Sequence, residues 1–198
     1  MESYNGTKTF YAKNQSAWRK WLEKNHSQEN AVWLIIYKKE TGIPSIYYPE
    51  AVDEALCFGW IDSKPNKRDD ESYYQFFAKR NPKSKWSKVN KEKVERLIKA
   101  GKMHHSGLSM IELAKKSGTW DALNEVENIT IPADLEAALK KNPLAKNNFN
   151  AFSRSSKRGI LEWILNAKKS ETREKRIHET VMLAAKNLKA NHPNQPKK

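Results

Sequence analysis

A continuous apolar run near the N-terminus constrains the fold of this chain more than any other feature. The run Val32–Tyr37 reads Val-Trp-Leu-Ile-Ile-Tyr, and β-branched and aromatic side chains dominate it. A run of this length without polar alternation is typical of a strand that is buried on both faces of a sheet. The rest of the chain must therefore supply partner strands and covering helices.

A strand and two helices are predicted on either side of that run. Residues 9–12 predict a short strand, and residues 14–24 predict a helix for which Asn14 is a favourable N-cap. Residues 49–58 predict a second helix, because a proline stands near its first position and Gly59 follows its end.

The next segment predicts a hairpin, after which the pattern becomes helical. Residues 60–62 and 73–80 predict antiparallel strands joined by a charged loop over residues 64–71. From Asn90 onward apolar residues recur at helical spacing. The sequence thus predicts an α+β fold, a small antiparallel or mixed sheet with flanking helices, followed by a C-terminal all-helical portion.

An acidic linker over residues 120–130 suggests where the chain divides. We expect an α+β N-terminal domain with trailing helices over residues 1–125 and a helical domain over residues 126–190. Residues 191–198 are polar and contain prolines, so a disordered tail is predicted there. The serines predicted to cap helices are Ser106, Ser155 or Ser156, and Ser170.

Cysteine content and hydropathy limit the class of protein. Cys57 is the only cysteine, which excludes an intramolecular disulfide and a multi-cysteine zinc site. No apolar run approaches the roughly 18 residues that a membrane span requires, and the N-terminus does not resemble a secretory signal. We expect a cytoplasmic protein without membrane insertion, in which Cys57 is a small core residue.

The positive charge is concentrated in two segments. The net charge is +14, and residues 79–102 and 140–198 are basic whereas residues 103–139 are acidic. This distribution suggests a surface that faces a polyanion if the two basic segments meet in space. A lysine-rich surface that only keeps the protein soluble would give the same composition.

The densest group of polar and aromatic residues surrounds the predicted hairpin. Asp62 ends one strand, and Arg80 and Lys83 are expected close to it across the hairpin, so its carboxylate would be held ionised. This arrangement suits either a ligand site or a structural salt bridge with a turn cap. The candidate ligand-binding residues are Trp60, Asp62, Ser63, Arg80, Lys83, Ser84 and Trp86.

A second candidate site stands at a predicted helix start. Serine hydroxyls, free backbone N–H groups and nearby cations at such a position can bind an anion. The candidate anion-binding residues are Arg154, Ser155, Lys157 and Arg158. Both basic groups could also contact nucleic acid, with Trp86 stacking on a base, although no recognised nucleic-acid-binding motif is present.

Signals of catalysis, cofactor binding and metal binding are weak. His104 and His105 are adjacent, and the other histidines lack the spacing of a metal site. The chain has no glycine-rich phosphate loop and no nucleophile elbow. We therefore predict no catalytic residues, no metal and no cofactor, while an enzyme with an unrecognised site around Trp60 and Asp62 stays open.

Two sets of ordered motifs lie within residues 9–190. In the first half they are Glu54, Trp60, Asp62, Ser63, Arg80–Ser87, Asn90, Gly101–Met103 and Gly107. In the second half they are Asn142, Pro143, Phe149, Arg158, Trp163, Ala167–Lys169, Thr172, Arg173 and Arg176. Together these motifs resemble the YdeI/OmpD-associated family of bacterial proteins. The chain departs from the family pattern at His104–Ser106, where small residues or proline are usual.

The resemblance implies a function class but no site residues. The family carries the label "bacteriocin-protection", which is tied in some members to resistance to cationic peptides and to association with an outer-membrane porin. It has no agreed catalytic residues. The resulting hypothesis is a non-enzymatic binding or stress-protection protein with an anionic ligand, and the alternative is an RNA- or DNA-binding protein. The oligomeric state stays open.

Overall fold

The structure, a computed structural model, describes residues 2–192 and divides into two compact units between Asp121 and Ala122. We call residues 2–121 unit 1 and residues 122–192 unit 2. Of the predicted disordered tail, residues 193–198 lie outside the described residues. The sequence-based domain limits remain a prediction, because a compact unit need not fold independently.

Unit 1 is built on a five-stranded mixed sheet. Its strands lie in the order β1-β2-β3-β5-β4. Strands β2 and β3 are parallel, and the other neighbours are antiparallel. The strands are β1 (Ser3–Tyr4), β2 (Thr7–Tyr11), β3 (Ala31–Tyr37), β4 (Trp60–Lys67) and β5 (Ser72–Lys79). The predicted α+β class with a small mixed sheet is confirmed.

Four helices accompany the sheet. The first connects the parallel pair β2 and β3, as a parallel connection requires. Its predicted cap is confirmed, since the Asn14 side chain accepts a hydrogen bond from the backbone N–H of Ala17 at 2.9 Å. The helices of unit 1 are α1 (Gln15–Asn25), α2 (Tyr48–Cys57), α3 (Lys88–Lys99) and α4 (His105–Lys116).

The central strand β3 is buried on both faces, as its sequence predicts. Val32, Leu34 and Ile36 belong to the main core, which also contains the buried side chains of the helices. On the opposite face, Trp33 and Ile35 join an aromatic cluster. Alternate side chains of a strand point to opposite faces, so one apolar run supplies both layers.

A glycine on α4 allows this helix to pack closely on α2. A Cβ atom at Gly107 would lie 2.2 Å from the carbonyl oxygen of Cys57. Gly59, which follows the end of α2, has a φ of 75° and directs the chain into β4.

Two local predictions in unit 1 are wrong. Strand β4 extends through Pro65 to Lys67, so the predicted charged loop begins too early. An irregularity between Asp62 and Pro65 and the edge position of β4 accommodate the proline, which cannot donate to a ladder. The N-cap of α4 is His104 rather than Ser106, whose hydroxyl donates to the carbonyl of Phe58 at 3.1 Å.

Unit 2 is helical throughout its regular structure, as predicted. Helix α9 packs against three of the others, and their apolar faces form a separate core centred on Leu135, Leu139 and Phe149. Its helices are α5 (Asn124–Glu127), α6 (Ala133–Lys140), α7 (Pro143–Ala151), α8 (Arg154–Leu165) and α9 (Ser170–Ala185). No helix within residues 2–192 has the length and apolar character needed to cross a membrane.

The predictions of helix starts in unit 2 need correction. Ser153, not Ser155 or Ser156, caps α8, since its side chain accepts from the N–H of Ser156 at 3.3 Å. Ser170 is the first residue of α9, and Lys169 is its N-cap. The acidic linker over residues 120–130 contains the short helix α5.

Candidate functional site

The larger of two cavities of interest lies in unit 1, between the end of β3 and the start of α2. Its volume is about 360 Å³, within the range of small-molecule sites. Four tyrosines and two lysines give the cavity its character, and we call it the tyrosine pocket. They are Tyr37, Tyr47, Tyr48, Tyr73, Lys38 and Lys39.

The loop between β3 and α2 shapes this pocket. After β3 the chain makes a 3-10 turn over Lys39–Thr41, and Gly42 follows with a φ of 67°. The loop then returns to the sheet, because the N–H of Ile46 donates to the carbonyl of Ala12 at 3.0 Å. The tyrosine pair at the start of α2 is thereby placed beside the end of β3.

Two consecutive tyrosines of the pocket are unusually open to solvent. Tyr47 is 44% exposed and Tyr48 is 40% exposed, although both have large rings. The Tyr48 hydroxyl donates to the Asp62 carboxylate at 2.5 Å. Burial, and then the interaction with Asp62, raise the pKa of Tyr48, so its hydroxyl stays protonated at neutral pH.

The charged groups that line the pocket are cations. The Lys39 ammonium lies 4.1 Å from the centroid of the Tyr47 ring, and Lys39 forms no ion pair with any described residue. Lys38 donates to the carbonyl of Asp70 at 2.7 Å. None of the described lining residues is acidic.

Hydroxyl groups add hydrogen-bonding capacity to the pocket. Tyr73 is half-buried, its hydroxyl forms no hydrogen bond with residues 2–192, and burial raises its pKa. Ser45 accepts a hydrogen bond from the N–H of Tyr37 at 3.0 Å, which leaves its hydroxyl proton available to a ligand. The pocket therefore offers hydrogen-bond donors beside aromatic surface.

The structure places three of the hairpin candidates in the interior. Trp60 is 1% exposed, Trp86 is 2% exposed and Arg80 is 5% exposed. The Arg80 guanidinium lies 3.9 Å from the centroid of Trp86 and donates to the carbonyl of Lys85 at 2.6 Å. Burial lowers the pKa of Arg80 to about 10. Together these contacts anchor the loop after β5.

The other hairpin candidates do not gather around Asp62. Asp62 contacts Tyr48 and forms no ion pair with Arg80 or Lys83 within the described chain. Ser63 and Lys83 are exposed, and the Ser84 hydroxyl donates to the carbonyl of its loop neighbour Asn81 at 2.7 Å. Asp62 is thus the one predicted site residue that reaches the tyrosine pocket, through Tyr48.

Sequence reasoning based on charge and on tryptophan does not identify the tyrosines of the pocket. No sequence signal separates them from core residues: Tyr48 stands at helical spacing from Ala51, Val52 and Ala55 of the buried face of α2, so the pattern predicts that it is buried, and Tyr47 is the N-cap of that helix.

Part of the first basic segment is neutralised within unit 1. Lys93 and Arg96 both pair with Asp53, at 2.9 Å and 2.6 Å. Lys91 lies 3.7 Å from Asp121. These pairs reduce the positive field that residues 79–102 present to a polyanion.

The cations of the predicted anion site in unit 2 have partners within the protein. Arg158 contacts Glu127 at 2.9 Å and Glu162 at 3.0 Å. Lys157 donates to the carbonyl of Asn150 at 3.1 Å, and the exposed Arg154 donates to the carbonyl of Glu127. Their contacts stabilise the start of α8.

Ser155 of that site and its neighbour Ser156 border a smaller cavity. Its volume is about 240 Å³, and Ser155, Ser156, Lys189 and His192 are among its lining residues. Hydroxyls at this helix start also bond to one another, at 3.0 Å between Ser153 and Ser155. Of the four candidates, Ser155 alone lines the cavity.

Three of the five histidines, and the cysteine, lie in a different part of unit 1. His104 stacks on Phe58 at 4.8 Å between centroids, and its ring also contacts His26 and His105. Burial raises the pKa of the Cys57 thiol to about 11, as expected for a core residue. Residues 2–192 contain no group of three or more histidine, cysteine or acidic side chains that could hold a metal ion.

Comparison with known proteins adds two family matches. Residues 10–110, just over half of the chain, match the model described as Domain of unknown function (DUF8412). Residues 128–187 match the model described as Bacteriocin-protection, YdeI or OmpD-Associated, which confirms the family resemblance for this segment. No curated protein and no solved structure matches the chain significantly.

The two matches cover different parts of the molecule. The first spans most of the sheet and helices of unit 1, and the second spans most of unit 2. The chain belongs to the DUF8412 domain family, and its C-terminal part carries a YdeI/OmpD-associated domain.

Proposed function

We propose that this YdeI/OmpD-associated protein is a binding protein and that its ligand is a small anion held in the tyrosine pocket. The observation that carries the proposal is the set of charges around the pocket. Two lysines line it, and no described lining residue is acidic. The carboxylates that contact its tyrosines are already engaged, since Asp62 accepts from the hydroxyl of Tyr48 and Glu50 accepts from the backbone N–H of Tyr47 at 3.3 Å.

The state of Lys39 supports an anionic ligand. Its ammonium lies over an exposed tyrosine ring and has no carboxylate partner among the described residues. A ligand carboxylate or phosphate would gain a charge-assisted hydrogen bond there without breaking an existing ion pair. The cavity is large enough for the anionic group and an attached apolar body.

The chemistry of the pocket supports binding over catalysis. Tyr48 stays protonated at neutral pH and serves as a donor to Asp62, not as a base. A nucleophile with an adjacent base would be the expected arrangement for group transfer. The cysteine of unit 1 is buried with a raised pKa, so its thiolate is disfavoured.

The test is an NMR titration of the ¹⁵N-labelled protein with pairs of small molecules that differ mainly in charge. Suitable pairs are benzoate with benzamide, and glucose 6-phosphate with glucose. We expect at least one anion, and not its neutral counterpart, to shift the amide signals of residues 37–49. Lys39→Gln should weaken that binding several-fold, whereas Lys99→Gln, which removes an exposed lysine of α3, should leave it unchanged. Equal binding of the neutral partners would contradict the proposal.

A further inference from the structure

The pocket presents aromatic surface and positive charge at the same point. Tyr47 and Tyr48 are both at least 40% exposed, and the ammonium of Lys39 is 4.1 Å from the Tyr47 ring centroid. Exposed tyrosine faces beside a cation suit a ligand that has both a flat ring and an anionic group.

The geometry restricts how ring and anion are joined. Aromatic rings pack with centroids roughly 4.5–7 Å apart. A ligand ring in contact with Tyr47 therefore has its centroid within about 11 Å of the Lys39 ammonium, which is itself 4.1 Å from the Tyr47 centroid. An anionic group linked to that ring through a short spacer can reach the ammonium without leaving the pocket.

The hydroxyl donors of the pocket suit the oxygen atoms of such a spacer. Tyr73 is half-buried and its hydroxyl has no hydrogen-bond partner in the described chain, while Ser45 retains a free hydroxyl proton. A sugar phosphate carries several acceptor oxygens, whereas an aliphatic chain would leave these donors unsatisfied.

We infer that the ligand of the tyrosine pocket is a nucleoside phosphate. Its base stacks on the exposed tyrosines, its phosphate meets Lys39, and its ribose oxygens accept from Tyr73 and Ser45. A volume of about 360 Å³ accommodates one nucleotide unit and not a duplex. This inference rests on the proposed function, in which the ligand is anionic, and it adds that the ligand also contains an aromatic ring.

The same chemistry has two sources, a free nucleotide or a nucleotide unit within a single strand. Calorimetric titration of the full chain separates them with four probes: AMP, ribose 5-phosphate, adenosine and a hexa-adenylate. Ribose 5-phosphate retains the anion without the base, and adenosine retains the base without the anion. If the hexa-adenylate binds more tightly than AMP and its affinity falls as the salt concentration rises, the ligand is a single strand of nucleic acid. If the two bind equally tightly, the ligand is the free nucleotide.

We expect AMP to bind roughly ten-fold tighter, or more, than either truncated probe, since base stacking contributes on this scale. Tyr47→Leu should weaken AMP binding by a similar factor and leave ribose 5-phosphate unchanged. Tyr47→Phe, which retains the ring, should preserve AMP binding. Tyr47 is exposed, so both variants should fold, which circular dichroism checks.

The contrary outcomes are distinct. If ribose 5-phosphate binds as tightly as AMP, the nucleotide inference fails and the anion proposal stands. If adenosine binds as tightly as AMP, both fail. If none of the four probes binds, the nucleotide inference is overturned, and the titrations with benzoate and glucose 6-phosphate decide the anion proposal separately.

Discussion

Two of the cation–aromatic pairs in unit 1 have nearly the same distance between cation and ring but opposite exposure to solvent. Lys39 lies 4.1 Å from the ring centroid of Tyr47, and Arg80 lies 3.9 Å from that of Trp86. Tyr47 is 44% exposed, whereas Trp86 is 2% exposed. The buried pair stabilises a loop of the fold, and the open pair is available to a ligand. Burial, more than residue type, separates the two roles.

The largest expected effect is on the buried pair. Trp86→Ala removes a buried indole and leaves a cavity, which typically costs about 3–5 kcal/mol of folding free energy. Denaturant unfolding followed by tryptophan fluorescence measures the loss, because every tryptophan except Trp163 belongs to unit 1. A loss below about 1 kcal/mol would mean that Trp86 is not part of the core.

Arg80 should show a smaller effect on stability. Arg80→Lys keeps the charge but loses the planar contact with Trp86 and the hydrogen bond to Lys85, so we expect a loss of about 1–3 kcal/mol. The unfolding midpoint in urea measures it. Lys83→Arg, an exposed change in the same loop, is the control and should leave the midpoint unchanged.

His104 provides an intermediate case, because its ring is half-buried against Phe58. Burial, followed by the charges of His105, His26 and Arg19, lowers its pKa, while Glu23 opposes the shift. The unfolded state therefore binds a proton at higher pH than the folded state. The contribution of His104 is fully present above an unfolded pKa of about 6.5 and is lost as the pH falls through that value toward the folded pKa.

Unfolding experiments between pH 8 and pH 5 test this dependence. We expect unit 1 to lose stability below about pH 6.5, and His104→Gln to reduce that loss. His178→Gln, which changes an exposed histidine of unit 2, should leave the pH profile of tryptophan fluorescence unchanged. An identical acid-dependent loss in wild type and His104→Gln would contradict the assignment.

The smallest effect on stability is expected at the open pair. Lys39→Gln and Tyr47→Phe should each change the free energy of unfolding by less than about 0.5 kcal/mol, because both side chains are exposed. Lys39→Gln should nevertheless weaken ligand binding several-fold. A loss of stability as large as that of Trp86→Ala would show that the two pairs do not differ in role.

The sequence predicts much of the fold from local patterns. The apolar run of β3 and the Asn14 cap of α1 each have a short-range physical cause, and both are confirmed. The caps of α4 and α8 differ from the sequence prediction because several polar residues compete at each helix start, and their spacing alone does not rank them. Ser106, for example, does not cap α4 because its hydroxyl donates a hydrogen bond to the carbonyl of Phe58.

The candidate site was less predictable because burial depends on contacts distant in sequence. Arg80 and Trp86 carry the residue types of a binding surface, yet the approach of the segment at Thr119 and Trp120 encloses the loop. Tyr48 and Asp62, 14 positions apart in the chain, meet only because α2 and β4 are neighbours in the fold. Residue types identified suitable chemistry but not its exposure.

The most direct test of this account is an NMR titration of the ¹⁵N-labelled full chain with AMP, followed residue by residue. The account predicts chemical-shift changes at residues 37–49 and at Tyr73, with no comparable changes at residues 80–87. Changes concentrated at residues 80–87 or 153–158, with the tyrosine pocket unaffected, would contradict it.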